Sequence, residues 1–142
     1  MYHEAIKEVL KNAKRQAIFL SKNPFGYLVS AIISGIFISL SVMLSATVWV
    51  QNQSSPIINF LSGTTGTFGL IMVVFAGTML FTANTFVITL GALKKTITWL
   101  ELVKVIAAVY FGNWIGTLIL SLVYKGSGHL VGAYAQYYIN AF

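Results

Sequence analysis

The polar residues best able to act on a solute lie inside a stretch that is otherwise apolar. Residues 76–85 read AGTMLFTANT, so that Gly77 is followed by threonines and an asparagine. Such residues suit a point where a membrane helix unwinds, because their side chains satisfy the freed backbone groups. An interrupted helix near the bilayer midplane is a recurring ion site, with the N-terminal end of a half-helix facing the solute. The alternative is an intact helix whose threonines bond back to their own carbonyls.

Few other side chains offer reactive chemistry. The chain has three acidic residues, no cysteine and two histidines, His3 and His129, which we interpret as surface residues without a function. Acid–base catalysis and metal binding both need such groups to converge in one place. The sequence therefore predicts no enzyme, no cofactor and no metal site.

The composition indicates what surrounds the polar stretch. Hydrophobic residues make up 57% of the chain and charged residues only 8%, whereas a soluble domain carries about 25% charged residues. Residues 23–93 and 105–124 contain no Asp, Glu, Lys, Arg or His. These lengths suit two crossings of about 20 residues each and then a third. We therefore predict an all-α membrane protein with a three-span domain over residues 23–124. Its spans are predicted at about 24–50, 66–93 and 100–124.

Basic residues lie almost entirely on one side of the predicted spans. Lysines and an arginine precede the first span and lysines flank the connection between the second and third, whereas the segment after the third has only Lys125. Because cytoplasmic loops are enriched in Lys and Arg, this bias predicts a multi-pass protein of the cell membrane with a cytoplasmic N-terminus. The net charge of +6 does not favour nucleic-acid binding, because the basic residues cluster at span ends rather than in one soluble patch.

The segments outside the spans are short. Residues 1–22 predict a cytoplasmic amphipathic helix on the anionic membrane surface, which either only enforces topology or also takes part in gating. Residues 51–65 predict an external loop, with Pro56 and Gly63 as helix breakers. Residues 125–142 predict an external segment, a loop followed by a short aromatic stretch.

Small residues in the third span predict close helix packing. Gly112 and Gly116 form a GxxxG pattern, which lets two helix backbones approach each other in lipid. Asn113 lies between them and, as a buried polar residue, is expected to hydrogen-bond across an interface. The third span is thus predicted to pack against another helix through this face.

Three segments together resemble the formate/nitrite transporter family. They are SKNPFGYLVSAIISGIFISL (21–40), AGTMLFTANTFVITLGALKKTITW (76–99) and VYFGNWIGTLILSLVY (109–124). The Asn-Pro-x-Gly start and the LFT motif are most similar to the family's nitrite-channel branch. The resemblance implies a homopentamer in which each protomer has an aquaporin-like pore for small monovalent anions such as nitrite, formate or hydrosulfide. Each protomer would contain six spans in two inverted repeats, with the second and fifth spans broken.

The resemblance also implies roles for individual residues. Leu80, Phe81 and Thr82 would lie in the broken loop, where Thr82 offers its hydroxyl to the anion and Leu80 narrows the pore. Leu70 would line the pore elsewhere in the second span. Asn113 matches a family asparagine and is expected to be a packing residue. Its two neighbouring glycines are expected to contribute to contacts between protomers.

Two features differ from the family pattern. Met79 stands where an acidic residue is usual, so the hydrogen bonds that a carboxylate makes in the broken loop are in question. The second three-span repeat, with its pore histidine, has no counterpart in these 142 residues. We therefore expect either a fragment of a channel or a half-length relative that needs a complementary half. The alternative is a non-conducting assembly partner or a degenerate relative.

Overall fold

The computed structural model describes residues 2–128 and 131–141 of the chain, and His129 lies outside these ranges. Within them every regular element is an α-helix. In chain order the helices are α1 (Tyr2–Lys22), α2 (Pro24–Gln51), α3 (Ile58–Gly66), α4 (Phe68–Ala76), α5 (Phe81–Leu93), α6 (Trp99–Gly126) and α7 (Ala133–Ala141). The prediction of an all-α protein is confirmed.

Three helical stretches are long and apolar enough to cross a membrane. They are Pro24–Gln51, Ile58–Ala76 and Trp99–Gly126, of which the second joins α3 and α4. The shorter apolar helix α5 continues the second span after a break. The prediction of three membrane spans with an interrupted second one is therefore confirmed.

The first and third spans, α2 and α6, pack along each other through small residues. A Cβ atom added to Gly112 would overlap the side chain of Ala31, and one added to Gly116 would overlap the backbone carbonyl of Ile32. Across the same interface, Gly35 lies against the backbone of Asn113. The two glycines of the GxxxG pattern thus face α2 of the same chain, so this face is not free to contact a neighbouring protomer.

The second span begins earlier than predicted, because residues that suggested an external loop form helix α3. The Thr64 hydroxyl donates to the Phe60 carbonyl at 2.8 Å and the Thr65 hydroxyl to the Leu61 carbonyl at 3.2 Å. Threonines that bond back in this way can lie within a helix. Ser45 of α2 also donates to the Ser62 carbonyl at 2.8 Å. The helix therefore starts at Ile58 rather than near residue 66.

Helix α1 forms where the amphipathic pattern predicted it, but it is more than a membrane-surface helix. Ala13, Gln16 and Ala17 are buried, and the helix packs mainly against α5 with further contacts to α2 and α6. At its end, Asn23 separates α1 from α2 and accepts a hydrogen bond from the Gly26 N–H at 2.8 Å. We refer to this side of the bundle as the α1 end.

The segment after α6 contains a helix that the sequence did not predict. Helix α7 packs against the last turns of α2, where the Tyr137 ring lies 5.3 Å from the Trp49 ring. The Tyr137 hydroxyl is 3.4 Å from the Ser45 hydroxyl. Aromatic rings with one polar atom suit such a boundary between apolar and polar surroundings. Helix α7 thus covers the opposite side of the bundle, the α7 end.

Candidate functional site

The candidate site lies at the break between α4 and α5. Gly77 ends α4 with φ 62° and ψ 30°, a left-handed conformation that glycine adopts without a steric penalty. The Thr78 N–H reaches back to the Val73 carbonyl at 3.1 Å, and Leu80 is extended with ψ 133°. Regular helical bonding resumes when the Asn84 N–H donates to the Leu80 carbonyl at 2.9 Å. The alternative of an intact helix is therefore wrong.

The break exposes the N-terminal end of α5. The first N–H groups of any helix lack an acceptor within that helix, and they carry the positive end of the helix dipole. In α5 the Phe81 N–H donates to Asn113 Oδ1 at 2.9 Å. Thr82 and Ala83, the next two residues, are exposed. The first turn of α5 therefore has N–H groups and an exposed Thr82 available as hydrogen-bond donors.

Asn113 of α6 holds the break in place. Its Nδ2 donates to the Ala31 carbonyl at 2.8 Å and to the Met79 carbonyl at 2.9 Å, while its Oδ1 accepts from Phe81. One amide thus joins α2, the break and the first turn of α5. The sequence predicted that Asn113 is a packing residue, and in the structure it also hydrogen-bonds the residues of the break. It binds the loop through the backbone carbonyl of Met79.

A buried cluster of polar side chains lies one turn further along α5. Gln16 Nε2 donates to Asn84 Oδ1 at 3.1 Å, and Asn84 Nδ2 donates to the Tyr27 hydroxyl at 3.3 Å. The Tyr27 hydroxyl in turn donates to Gln16 Oε1 at 3.5 Å. All three residues are buried. The cluster connects α1, α2 and α5, and we call it the Gln–Tyr–Asn cluster.

The sequence did not predict this cluster. Asn84 was considered only for its effect on its own helix, and its partner Gln16 lies 68 positions away. One signal was available in α1, where Gln16 stands between Ala13 and Ala17 on the apolar face. A polar residue on such a face is expected to have a buried hydrogen-bond partner.

The residues singled out from the sequence are brought together only in part. Leu80, Phe81 and Thr82 lie at the break, and the Phe81 ring packs at 5.5 Å from the ring of Tyr110. Leu70 lies on α4 away from the break and is half exposed. The described residues thus form one wall of a site, with apolar side chains on both sides of a polar turn.

Large apolar side chains next to the break are uncovered. Phe75 is 88% exposed, Val74 77% and Phe86 66%. Exposed apolar area of this kind marks a surface that contacts lipid or another protein segment. The polar turn lies between these side chains. The wall therefore has uncovered apolar side chains both before and after the break.

Charge is distributed unevenly between the two ends. At the α1 end, exposed lysines and arginine on α1 are joined by Lys94, Lys95 and Lys104. Three acidic residues, Glu4, Glu8 and Glu101, lie at the same end, against eight basic ones. The α1 end thus has a positive potential that attracts anions toward the bundle.

Comparisons with known proteins match most of this chain to proteins of one kind. A family model described as "Formate/nitrite transporter" matches residues 3–141. The "Nitrite transporter NirC" of Salmonella typhimurium is 30% identical over 129 residues, which are 90% of this chain and 47% of that protein. The "Formate channel FocA" of Escherichia coli is 31% identical over 122 residues, covering 84% of this chain and 42% of that protein.

A solved structure supports the same relationship. The structure of an "FNT family ion channel" superposes with a TM-score of 0.80 at 29% identity, covering 89% of this chain and 50% of that one. This chain therefore spans about half the length of the curated relatives and of the structural neighbour that it matches.

Proposed function

Since this chain belongs to the formate/nitrite transporter family, a family of membrane channels and transporters, we propose that it forms one half of a pore for small monovalent anions. Nitrite, formate and hydrosulfide are the proposed solutes. The observation that carries the proposal is the break at Gly77–Leu80, which leaves the positive end of α5 and the exposed Thr82 on an open surface.

The chemistry of this turn favours anions over cations. N–H groups and a hydroxyl donate hydrogen bonds to an anion, and the α5 dipole adds a favourable field. The apolar side chains of Leu80 and Leu70 offer no ligands to replace the water around a cation. The basic residues of the α1 end raise the local anion concentration. Thr82 is thus proposed to contact the passing anion, and Leu80 and Phe81 to form the constriction beside it.

A complementary three-span half is proposed to complete the pore. In lipid, each backbone polar group without a partner costs several kcal/mol, so the open turn needs a covering segment. The exposed Val74, Phe75 and Phe86 give such a segment an apolar surface on either side of the turn. By likeness to the family, that half would bring a second broken helix with a histidine facing Thr82, and complete protomers would form a homopentamer.

The same exposed surface supports a second candidate function. Val74 and Phe75 could dock against another membrane protein without enclosing a pore, which would make the chain a non-conducting assembly partner. The two functions differ in whether Thr82 matters to anion flux. Docking alone depends on the apolar side chains and not on the Thr82 hydroxyl.

A pair of threonine variants tests the proposed contact. In the chain joined to a complementary half, Thr82→Val keeps the side-chain shape and removes the hydroxyl, so anion flux into liposomes is expected to fall about tenfold. Thr85→Val is the matched control, because the Thr85 hydroxyl is already bonded to the Phe81 carbonyl at 2.7 Å. Undiminished flux in both variants would remove Thr82 from the pathway, and an absence of flux from the unsubstituted joined chain would favour the docking function.

The orientation in the cell membrane is tested separately. The basic α1 end is proposed to face the cytoplasm, so a reporter fused at Lys95 should be cytoplasmic and one fused at Ser54 or Ser127 external. A reporter at Lys95 that is external would reverse the proposed topology and place the basic residues at the external mouth.

A further inference from the structure

We propose that Gln16, Tyr27 and Asn84 act as positioning residues, through which helix α1 sets the rotation of α5 and with it the placement of Thr82. This inference rests on the proposed function in one respect, that Thr82 is the side chain whose placement matters. All three residues of the cluster are buried, and Asn84 Nδ2 also donates to the Met79 sulfur at the break, at 3.4 Å.

The spacing between Asn84 and Thr82 along α5 explains how the cluster can orient Thr82. Successive helical residues are rotated by about 100°, so Asn84 and Thr82 lie about 200° apart around the helix axis. Asn84 faces the bundle and is 6% exposed, whereas Thr82 faces outward and is exposed. Hydrogen bonds that hold Asn84 in one direction therefore hold Thr82 in nearly the opposite direction.

The cluster and Asn113 fix different properties of the turn. Asn113 accepts from the Phe81 N–H and so sets where α5 begins. A single hydrogen bond at the end of a helix does not by itself fix the rotation of that helix, which here also depends on the packing of α5 against α1 and α6. The Asn84 side chain adds bonds to Gln16 at 3.1 Å and to Tyr27 at 3.3 Å, and its Nδ2 also donates to the Met79 sulfur at 3.4 Å. Together the two attachments define both the start and the rotation of α5.

Helix α1 is itself held against α5 at a second point. Gly91 lies near the end of α5, and a Cβ atom added there would be only 2.6 Å from the Ala13 side chain. Ala13 and Gln16 are one turn apart on α1, so α1 contacts α5 near both of its ends. This close contact keeps Gln16 at a fixed height opposite Asn84. A role limited to anchoring α1 on the membrane surface would need neither contact.

Cysteine labelling tests the proposal directly, because the sequence has no native cysteine. Thr82→Cys reports the open turn, and Thr64→Cys reports an exposed position on α3, far from the cluster. The full chain in detergent micelles is treated with a small thiol reagent, and the labelling rate of each introduced thiol is measured. Tyr27→Phe and Gln16→Leu then remove the bonds of the cluster one residue at a time.

The expected change in labelling rate is confined to position 82. Each cluster variant should change the labelling rate at position 82 by about threefold or more and leave the rate at position 64 unchanged. The double variant should do little more than the stronger single one, since both break one network. Gln136→Leu, at an exposed position on α7, is the matched control and should alter neither rate. Tyr27→Phe also retains the ring that packs 5.5 Å from Phe19, so it keeps the fold testable if Gln16→Leu does not assemble.

Two results would overturn the proposal. Unchanged labelling at position 82 in both cluster variants would show that α1 does not position the turn. Equal changes at positions 82 and 64 would show a general loosening of the bundle. The experiment measures no flux, so its outcome is independent of the proposed function. A change in labelling rate confined to position 82, together with normal anion flux in Thr82→Val, would support the positioning role and reject the proposed contact of Thr82 with the anion.

Discussion

The α4 half and the α5 half of the second span meet at the break but rest on different neighbours. Helix α4 packs mainly on α2, where Gly69 lies against Ser41 and the Phe37 carbonyl. Helix α5 packs between α1 and α6 and is also held by the Gln–Tyr–Asn cluster. The α5 half is therefore fixed within the described bundle, whereas the α4 half is supported on one side only.

Burial follows the same division. On α4 seven of the nine residues are exposed, whereas on α5, which includes the exposed Phe86, four of the thirteen are exposed. Helices in lipid gain little from hiding apolar side chains from one another, so close packing and hydrogen bonds decide their positions. Helix α5 therefore provides the fixed reference for the site. The α4 half is the part that we expect a complementary segment to order.

The largest expected effect comes from the residue on which both halves depend. Asn113→Leu keeps the approximate size but leaves the Phe81 N–H and the Ala31 and Met79 carbonyls without their partner. The free energy of unfolding in detergent should fall by about 3 kcal/mol or more, because several polar groups lose bonds at once. Asn140→Leu, at an exposed position on α7, is the control. A loss no greater than the control's would mean that the break holds its shape without Asn113.

A smaller effect is expected from a substitution that forces α4 away from α2. In Gly69→Ala the new Cβ would lie 2.7 Å from the Phe37 carbonyl and the Ser41 side chain. The free energy of unfolding should fall by about 1–3 kcal/mol, typical of overpacking. Hydrogen exchange should increase in α4 but not in α5. Gly63→Ala is the control, because nothing lies within 4 Å of a Cβ atom there. Faster exchange throughout α5 would contradict the separate support of the two halves.

The smallest expected effect concerns a single hydrogen-bonded contact of α3 with α2. Ser45→Ala removes the hydroxyl that lies 2.7 Å from the Ser62 hydroxyl and bonds the Ser62 carbonyl. Such contacts between membrane helices average about 0.6 kcal/mol, so only a small decrease in unfolding free energy is expected. Ser54→Ala in the exposed turn before α3 should have no effect. A loss as large as that of Asn113→Leu would mean that the α7 end, rather than the break, holds the second span.

Features with a local cause were predictable from the sequence. The uncharged stretches predicted the spans, and Gly77 with the polar residues after it predicted the break. Helix α3 was not predicted, because its polar residues are typical of a loop. In the structure the hydroxyls of Thr64 and Thr65 bond to carbonyls of their own helix. The partner of Asn84 could not be inferred either, since nothing local indicates which distant residue will meet it.

The contacts of the glycine pattern of α6 were also predictable only in part. Gly112 and Gly116 correctly indicated a close helix contact, but a GxxxG pattern does not name the partner helix. The expectation that they meet a neighbouring protomer is replaced by their contact with Ala31 and Ile32 of α2. The roles of Leu70, Leu80 and Thr82 in an anion pathway stay predictions, because they depend on the solute and on the covering segment.

Anion flux into liposomes tests the central claim, that this chain supplies one wall of a pore and needs a second. The 142-residue chain is compared with the same chain fused to the remaining half of the Salmonella typhimurium relative. Formate or nitrite flux should be absent with the chain alone and present with the assembled fusion. Robust flux from the chain alone, or an assembled fusion that passes neither anion, would contradict the account.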